Sequence, residues 1–381
     1  MAVPKLRFKE FDADYTNTTF EKLKGFSIQS GKSEEKGDTG EFPFYGSTGV
    51  IGYKDIFDYE GKSILIARVG ANAGSLYQID GKYSVSDNTL RLTVSDDTSL
   101  DYLRELLIKF NLNRLVFGTG QPLVTGGMIK KVNIFIPEFT EQTKIASFLS
   151  NVDEKISQLT QKHALLSQYK QGMMQKLFSQ QLRFKADDGS EFGEWEETVL
   201  EKIGAFLKGK GISKADIVED GFTPCIRYGE LYTHYGEVIS KVISATNLEI
   251  ENLILSKAND VLIPASGETQ IDIATASCVL HDDVALSGDL NIFRTKENGV
   301  FLSYLIRSHL KMQIAQLAQG NSVVHLYSSQ LKGVRLNLPC LEEQTKIANF
   351  LSAIDQKIEV VAQQIEQAKQ WKKGLLQQMF V

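Results

Sequence analysis

Twice along this chain the spacing of apolar residues settles into a long heptad. In the first run Ile145, Leu149, Val152, Ile156, Leu159 and Leu166 recur every three or four residues where the pattern holds. In the second, Ile347, Leu351, Ile354, Ile358, Val361 and Ile365 do the same. That spacing collects one apolar stripe on a helix and makes the seam of a coiled coil. Pro137 and Pro339 stand just before the runs, and Glu141, Glu342 and Glu343 fill their first turns, where the helix dipole favours acidic groups. Each run predicts a helix of about 38 residues, roughly 57 Å long. Polar residues interrupt the seam: Lys170 and Lys372 at matching positions, and His163 in the first run alone. Residues of this kind fix register, reach toward solvent or meet a partner.

Outside the heptads the period shortens. "SILIARVG" (63–70) and "DVLIPASG" (260–267) predict short buried strands ending on glycine, and "YSVSDNTLRLTV" (83–94) alternates like one half-exposed strand. "LDYLRELLIKFNLNRL" (100–115) and "VFLSYLIRSHLKMQIAQL" (300–317) have helical periods, and each leads into a glycine-bearing loop. The fold class that follows is α+β: two mixed α/β domains joined by two long helices that pack on each other, as an antiparallel coiled coil if the variable domains lie at opposite ends.

The two halves are copies. "EQTKIASFLSNVDEKI" starts at Glu141 and "EQTKIANFLSAIDQKI" at Glu343, an offset of 202. At that offset Pro137–Phe178 aligns without a gap, and 19 of its 42 positions are identical. "KLRFK" (5–9) echoes "QLRFK" (181–185), whereas "EFPFYGSTGVIGY" and "TPCIRYGELYTHY" share no useful pattern. The chain thus divides into an N-terminal arm with a first variable domain (1–136), a helical region (137–180), a linker with a second variable domain (181–338) and a second helical region (339–381). Antiparallel helices would carry the variable domains at opposite ends of a pseudo-twofold rod. Such an object suits a DNA duplex, which has approximate twofold axes of its own and a helical turn of ~34–36 Å.

Composition narrows the class. Hydrophobic content of 42% and charged content of 23% are those of a globular protein, and 381 residues suggest two or three domains. No apolar run approaches the ~18 residues that cross a membrane, and no signal-peptide core opens the chain, so a cytoplasmic protein is expected. Cys225, Cys278 and Cys340 are odd in number and far apart, which argues against a disulfide framework or a zinc site. A net charge of −5 weighs against a stand-alone nucleic-acid binder. Basic groups must therefore cluster locally, or a partner must share the phosphate contacts.

Catalytic patterns are missing. "GFSIQSGKS" (25–33) spaces its glycines one residue too widely for a phosphate-binding loop. There is no HExxH, no GxSxG, no paired metal ligands, no glycine-rich loop for S-adenosylmethionine and no Asn-Pro-Pro-aromatic tetrapeptide. The expectation is a chain with no catalytic residue and no metal. The variable-domain loops do carry residue types that touch phosphates and read base edges. In the first domain these are Tyr45, Ser47, Thr48, Arg68, Asn72, Lys82, Thr119 and Gln121. In the second they are Lys208, Lys210, Arg227, Tyr228, Thr269, Gln270 and His325. The same types populate polar loops of any protein. A coiled-coil scaffold without a DNA role, and a DNA-modifying enzyme with an unrecognised site, are the other readings these residues leave open.

The layout resembles the specificity subunit of type I restriction–modification systems over essentially the whole chain. The resemblance rests on "IPEFTEQTKIASFLSNVDEKI" and "LPCLEEQTKIANFLSAIDQKI", with "YGSTGVIGY", "GTGQP" and "GNSVVHLYSSQLK" beside them. It implies two target-recognition domains, about Phe20–Ile136 and Thr198–Leu338, each reading one half of a split sequence in double-stranded DNA. The helices would set the gap and dock two methyltransferase subunits, and motor–nuclease subunits would join for cleavage. S-adenosylmethionine, ATP and Mg would belong to those partners, with no cofactor on this chain. Base flipping would fall to the methyltransferases, whose chemistry needs an extruded base. The arms "DADYTNTT" and "DDGSEFGEWEET" diverge between the two halves.

Overall fold

Residues 3–32, 37–117, 122–320 and 323–381 are described by a computed structural model of the chain. The first variable region contains β1 (Thr16–Thr19), β2 (Ser27–Ser30), β3 (Phe42–Gly46), β4 (Gly49–Lys54), β5 (Tyr59–Glu60), β6 (Ser63–Ala67), β7 (Leu76–Ile79), β8 (Lys82–Val85), β9 (Thr89–Thr93), α1 (Leu100–Phe110), α2 (Gly126–Lys130) and β10 (Asn133–Ile136). The first long helix, α3, then runs over Phe139–Phe178.

The second region contains β11 (Glu196–Val199), α4 (Leu200–Ile203), β12 (Gly204–Lys208), β13 (Ile217–Val218), β14 (Thr223–Ile226), α5 (Glu230–Thr233), β15 (Val238–Ile239), β16 (Ser244–Thr246), β17 (Ile254–Leu255), β18 (Val261–Pro264), β19 (Ser266–Gly267), α6 (Gln270–Ile273), β20 (Ser277–Val279), β21 (Ala285–Leu286) and β22 (Leu290–Thr295). It closes with α7 (Gly299–Arg307), α8 (Lys311–Leu317), β23 (Val324–His325), α9 (Ser328–Leu331) and β24 (Arg335–Leu338), before the second long helix, α10 (Leu341–Met379).

The two regions share one plan that their sequences conceal. One sheet has the order β2-β9-β6-β7 in the first region, and β12-β22-β18-β20 extended by β15 in the second. The other sheet has the order β4-β3-β8-β5, matched by β16-β14-β21-β17 with β13 added at its edge. Even strand polarity repeats: β3 is parallel to β8 as β14 is to β21, with the outer neighbours antiparallel in both. A two-stranded stem closes each region, β1 against β10 (Thr16 opposite Ile136) and β11 against β24 (Glu196 opposite Leu338).

The run "SILIA" forms β6, central in its sheet between β9 and β7 and buried on both faces: Ile64 and Ile66 pack with helix α1, and Leu65 with Tyr83 and Val85 of the other sheet. Ile64, Leu65 and Ile66 are each fully buried, worth about 1.5–3 kcal/mol apiece. Three expectations need correction. The helix expected over 100–115 ends at Phe110, where Asn111 turns left-handed (φ 60°), and a short 3-10 turn follows. "YSVSDNTLRLTV" is two strands, β8 and β9, in different sheets, because Thr89 N donates to Ser86 O and turns the chain at Asp87–Asn88. The stretch 300–317 is likewise two helices, α7 and α8, broken at Ser308, whose ψ of −84° leaves the helical region.

Contacts divide the chain into two units, Met1–Gln161 with Ala362–Val381, and Lys162–Val361. Each holds one variable region, the first part of one long helix and the last part of the other, rather than a contiguous stretch of sequence. In the first unit Ile145, Leu149 and Val152 of α3 share a core with Leu375, Leu376 and Met379 of α10, so early residues meet late ones and the segments are antiparallel. In the second, Met174, Leu177 and Phe178 share a core with Ile347, Leu351 and Ile354 in the same sense. Of the remaining seam positions Leu159, Val361 and Ile365 are buried, and Ile156, Leu166 and Ile358 half-buried.

Candidate nucleic-acid interface

The most faithfully repeated residues fasten each variable region to its helix. Arg7 grips buried Glu141 with two bonds of 2.8 and 2.7 Å, and Arg183 grips buried Glu343 at 3.1 and 2.8 Å. The hydrogen bond to the carboxylate raises the pKa of each guanidinium. Gln142 accepts from Ser99 N, the residue that caps α1, while Gln344 accepts from Asn298 N, which caps α7. α1 and α7 are thereby each tied to the first turn of a long helix.

From that base, three segments converge at one end of the central sheet. In the first region Arg68, just past β6, donates its N–H to Asn88 O (2.9 Å), and its carbonyl accepts from Val124 N (2.8 Å). Val69 bridges Leu123, which also bridges Phe117. In the second region Ala265 donates to Asp289 O (2.8 Å) and accepts from Leu326 N (3.0 Å), Ser266 pairs with His325, and His325 pairs with Gln319. Leu123 and Phe117 become His325 and Gln319 on adding 202, so this is one clamp built twice.

A glycine–lysine step completes it. Gly31 N donates to Thr89 O (3.0 Å) and Lys32 N to Val85 O (3.0 Å); Gly209 N donates to Leu290 O (3.1 Å) and Lys210 N to Leu286 O (3.0 Å). A Cβ on Gly31 would overlap the carbonyl oxygen of Val85, and one on Gly209 that of Ser287. Glycine is required here because backbone crosses backbone, which accounts for the "SGKS" that resembles a phosphate loop.

The clamp gathers some of the sequence candidates. Arg68 lies on it in the first region, with Asn72 in the turn that follows, its carbonyl accepting from Ser75 N; Lys208, Lys210, Thr269, Gln270 and His325 lie on or beside it in the second. The remaining candidates stand elsewhere. Tyr45 packs edge-on to Tyr83, and burial pushes its phenol pKa up. Ser47 offers its carbonyl to Tyr77 (3.2 Å), Thr48 is exposed at the β3–β4 turn, and Lys82 lies 4.9 Å over the Phe57 ring. Arg227 is committed to buried Glu230 (3.2 Å), and Tyr228 packs on the domain core. Thr119 and Gln121 fall outside the described residues. Sequence reasoning missed the role of Gly31 and Gly209, whose signal was a shared Gly-Lys directly after matching strands, and Tyr327, which had none.

The charge is uneven. Residues 1–136 carry 17 basic and 17 acidic side chains, whereas residues 181–338 carry 15 basic against 21 acidic, a net of −6. Among the described residues no group of three His, Cys, Asp or Glu side chains could hold a metal, and no helix is long and apolar enough to cross a membrane. The second unit has a cleft of about 790 Å³ beside Lys170, Glu237, Arg307 and His309. Its charges are already engaged: Lys170 with Glu237 and Asp355, Arg307 with the carbonyls of Leu231, Tyr235 and Ala276.

Comparison with known proteins agrees with this duplicated architecture. A family model described as the type I restriction modification DNA specificity domain matches the chain twice, at residues 19–168 and 193–370. The type I restriction enzyme MjaVIII specificity subunit of Methanocaldococcus jannaschii is 26% identical over 336 residues, covering 82% of this chain and 77% of that protein. A putative type I restriction enzyme specificity subunit of Haemophilus influenzae is 22% identical over 323 residues, 83% of this chain and 81% of its own. The crystal structure of the type I restriction–modification S subunit from M. genitalium has the same fold, with a TM-score of 0.65 over 100% of this chain and 99% of that one, at 16% identity.

Proposed function

We propose a division of labour that proceeds from one premise: this chain belongs to the family of type I restriction–modification DNA specificity domains. It is a DNA-recognition subunit and not an enzyme; neither the scaffold nor the enzyme alternative is favoured. Beyond that, each variable region reads one half of a split target, and the paired helices hold the halves at a fixed gap. Methyltransferase subunits, two per chain, dock on the helices and carry S-adenosylmethionine, and ATP-driven motor–nuclease subunits join them for cleavage.

The observation that supports this reading is the clamp itself. One backbone arrangement occurs in both regions with different side chains on it: Arg68 against Ala265, Leu123 against His325, Phe117 against Gln319. Identical frames with different outward groups suit two readers of two different half-sequences, since specificity lies in side chains at base edges. An acidic second region fits a subunit whose phosphate contacts are shared with partners.

Mapping methylated adenines in a host that expresses the chain with its cognate methyltransferase tests the reading. A split motif is expected only when both proteins are present. Identical methylation by the partner alone would overturn it.

A further inference from the structure

The second clamp carries a feature that the fold does not need. His325 and Tyr327 flank Leu326, which is fully buried, so in this extended segment both aromatic side chains leave the same outward face. Tyr327 remains 54% exposed, and its ring lies at 19° to the imidazole of His325 with centroids 6.2 Å apart. The backbone beneath is held on every side. His325 exchanges two hydrogen bonds with Gln319 (2.9 and 2.7 Å), Leu326 N donates to Ala265 O, and Asn291 Nδ2 donates to Leu326 O (2.9 Å). Tyr327 N donates to Gln330 Oε1 (2.8 Å), and Gln330 in turn donates to Leu317 O (2.6 Å). Ser266 Oγ holds the imidazole Nδ1 at 3.1 Å, which leaves Nε2 without a bond to any described residue.

We infer that His325 and Tyr327 together are a base-reading element of the second recognition domain, specifying one or two positions of its half-target. The inference rests on the recognition reading above and deepens it. A half-buried imidazole beside an exposed phenol, on a rigid frame, presents a ring face for stacking or thymine-methyl contact. It also presents two polar tips, Nε2 and the phenol, that can each donate or accept at a base edge. The exposed Lys208 and Lys210 beside this clamp can meet phosphates, but a lysine on a phosphate does not distinguish bases. The discrimination therefore falls to the His325 and Tyr327 side chains. The first domain places Leu123 and Thr125 at the equivalent positions and sets Arg68 where the second has Ala265, so the two heads read by different chemistry on one frame.

The test uses the full chain with its cognate methyltransferase subunit and a pool of duplexes randomised in sequence. His325→Leu, Tyr327→Ala and the double variant are compared with the parent. His325→Leu guards against misfolding, because leucine already occupies this clamp position in the first domain. Each variant is expected to lose about tenfold or more of its discrimination at one or two positions in one half-target, the scale of a lost base-edge contact. The other half-target and the gap stay unchanged. Selection of the parental motif in both halves by all three variants would overturn the inference while leaving the recognition reading intact. So would a uniform loss of affinity with no change of motif, which would mark a general DNA contact. A parent that selects no motif would overturn the recognition reading and this inference with it.

Discussion

The best-repeated stretch of the sequence is explained by two residues that are not part of the coiled-coil seam. Glu141 and Glu343 are fully buried, each answered by an arginine from the preceding arm and by one further donor, Tyr15 O–H at 3.0 Å or Trp195 Nε1–H at 3.3 Å. The arms looked divergent because the donor lies eight residues after Arg7 but twelve after Arg183. Different residues at different spacing satisfy the same carboxylate, and no alignment at fixed offset finds that. Glu343→Ala would leave Arg183, which is 21% exposed, only its bonds to the carbonyls of Gly193 and Phe192, and should destabilise the second unit by about 1–3 kcal/mol in chemical denaturation. Gly209→Ala should cost about 1–3 kcal/mol or more by overpacking, because its new methyl meets a carbonyl and not a movable side chain. Thiols give a third check. Burial pushes Cys225 up to about 11 and Cys278 up to about 12, whereas Cys340 is exposed at the start of α10. A thiol reagent near neutral pH should therefore label Cys340 alone in the native protein and all three cysteines after denaturation.

At the level of elements, the heptads were legible because burial on a helix leaves a period, and nine of the twelve seam positions named from sequence are buried. The meaning of the polar breaks was not legible, since it depends on what faces them. Lys372 meets Asp153 at 2.7 Å and buried Glu105 at 3.0 Å; Lys170 meets Asp355 at 2.7 Å and Glu237 at 2.9 Å. Asp153 and Asp355 are equivalent at the 202 offset, but Glu105 is replaced by Arg307, and Glu237 from a variable-region loop supplies the missing charge. The same lysine is thus kept in place by two different acidic partners. Lys372→Met should destabilise the first unit by about 1–3 kcal/mol, because Glu105 loses one of its two cations and keeps Arg104, which also stands 3.5 Å from Asp153. Lys372→Met with Glu105→Met should recover most of that loss, since an apolar pair of similar volume tolerates the site. Unfolding curves that fail to recover in the double variant would mean that the lysine acts through packing and not through charge. The strands were harder to read. Any apolar residues satisfy a buried pleat, so two regions with one topology need share no sequence, and a turn as short as Asp87–Asn88 passed for the middle of a strand.

For the whole molecule, the net charge of −5 argued against DNA while the architecture argued for it, and the distribution of charge reconciles the two. The deficit lies in residues 181–338, and the clamps that carry the candidate readers are framed by backbone hydrogen bonds that do not depend on charge. Each variable region also hangs from a two-stranded stem whose partners are adjacent in space though far apart in sequence: Thr19 opposite Asn133, Val199 opposite Arg335. Cutting at the stems leaves both long helices, both arms and the buried Glu–Arg pairs untouched. Residues 20–132 can therefore be exchanged for the matching segment of another family member that supplies its own partners for Gln142 and Lys372, which Ser99 and Glu105 meet here. In a host supplying the methyltransferase, the exchanged chain should direct methylation to a split motif in which one half is new. The other half and the number of bases between the halves should be unchanged, because neither the second clamp nor the helices have been altered. A motif that changes in both halves would show that the two regions do not read independently. An unchanged motif would place recognition outside residues 20–132.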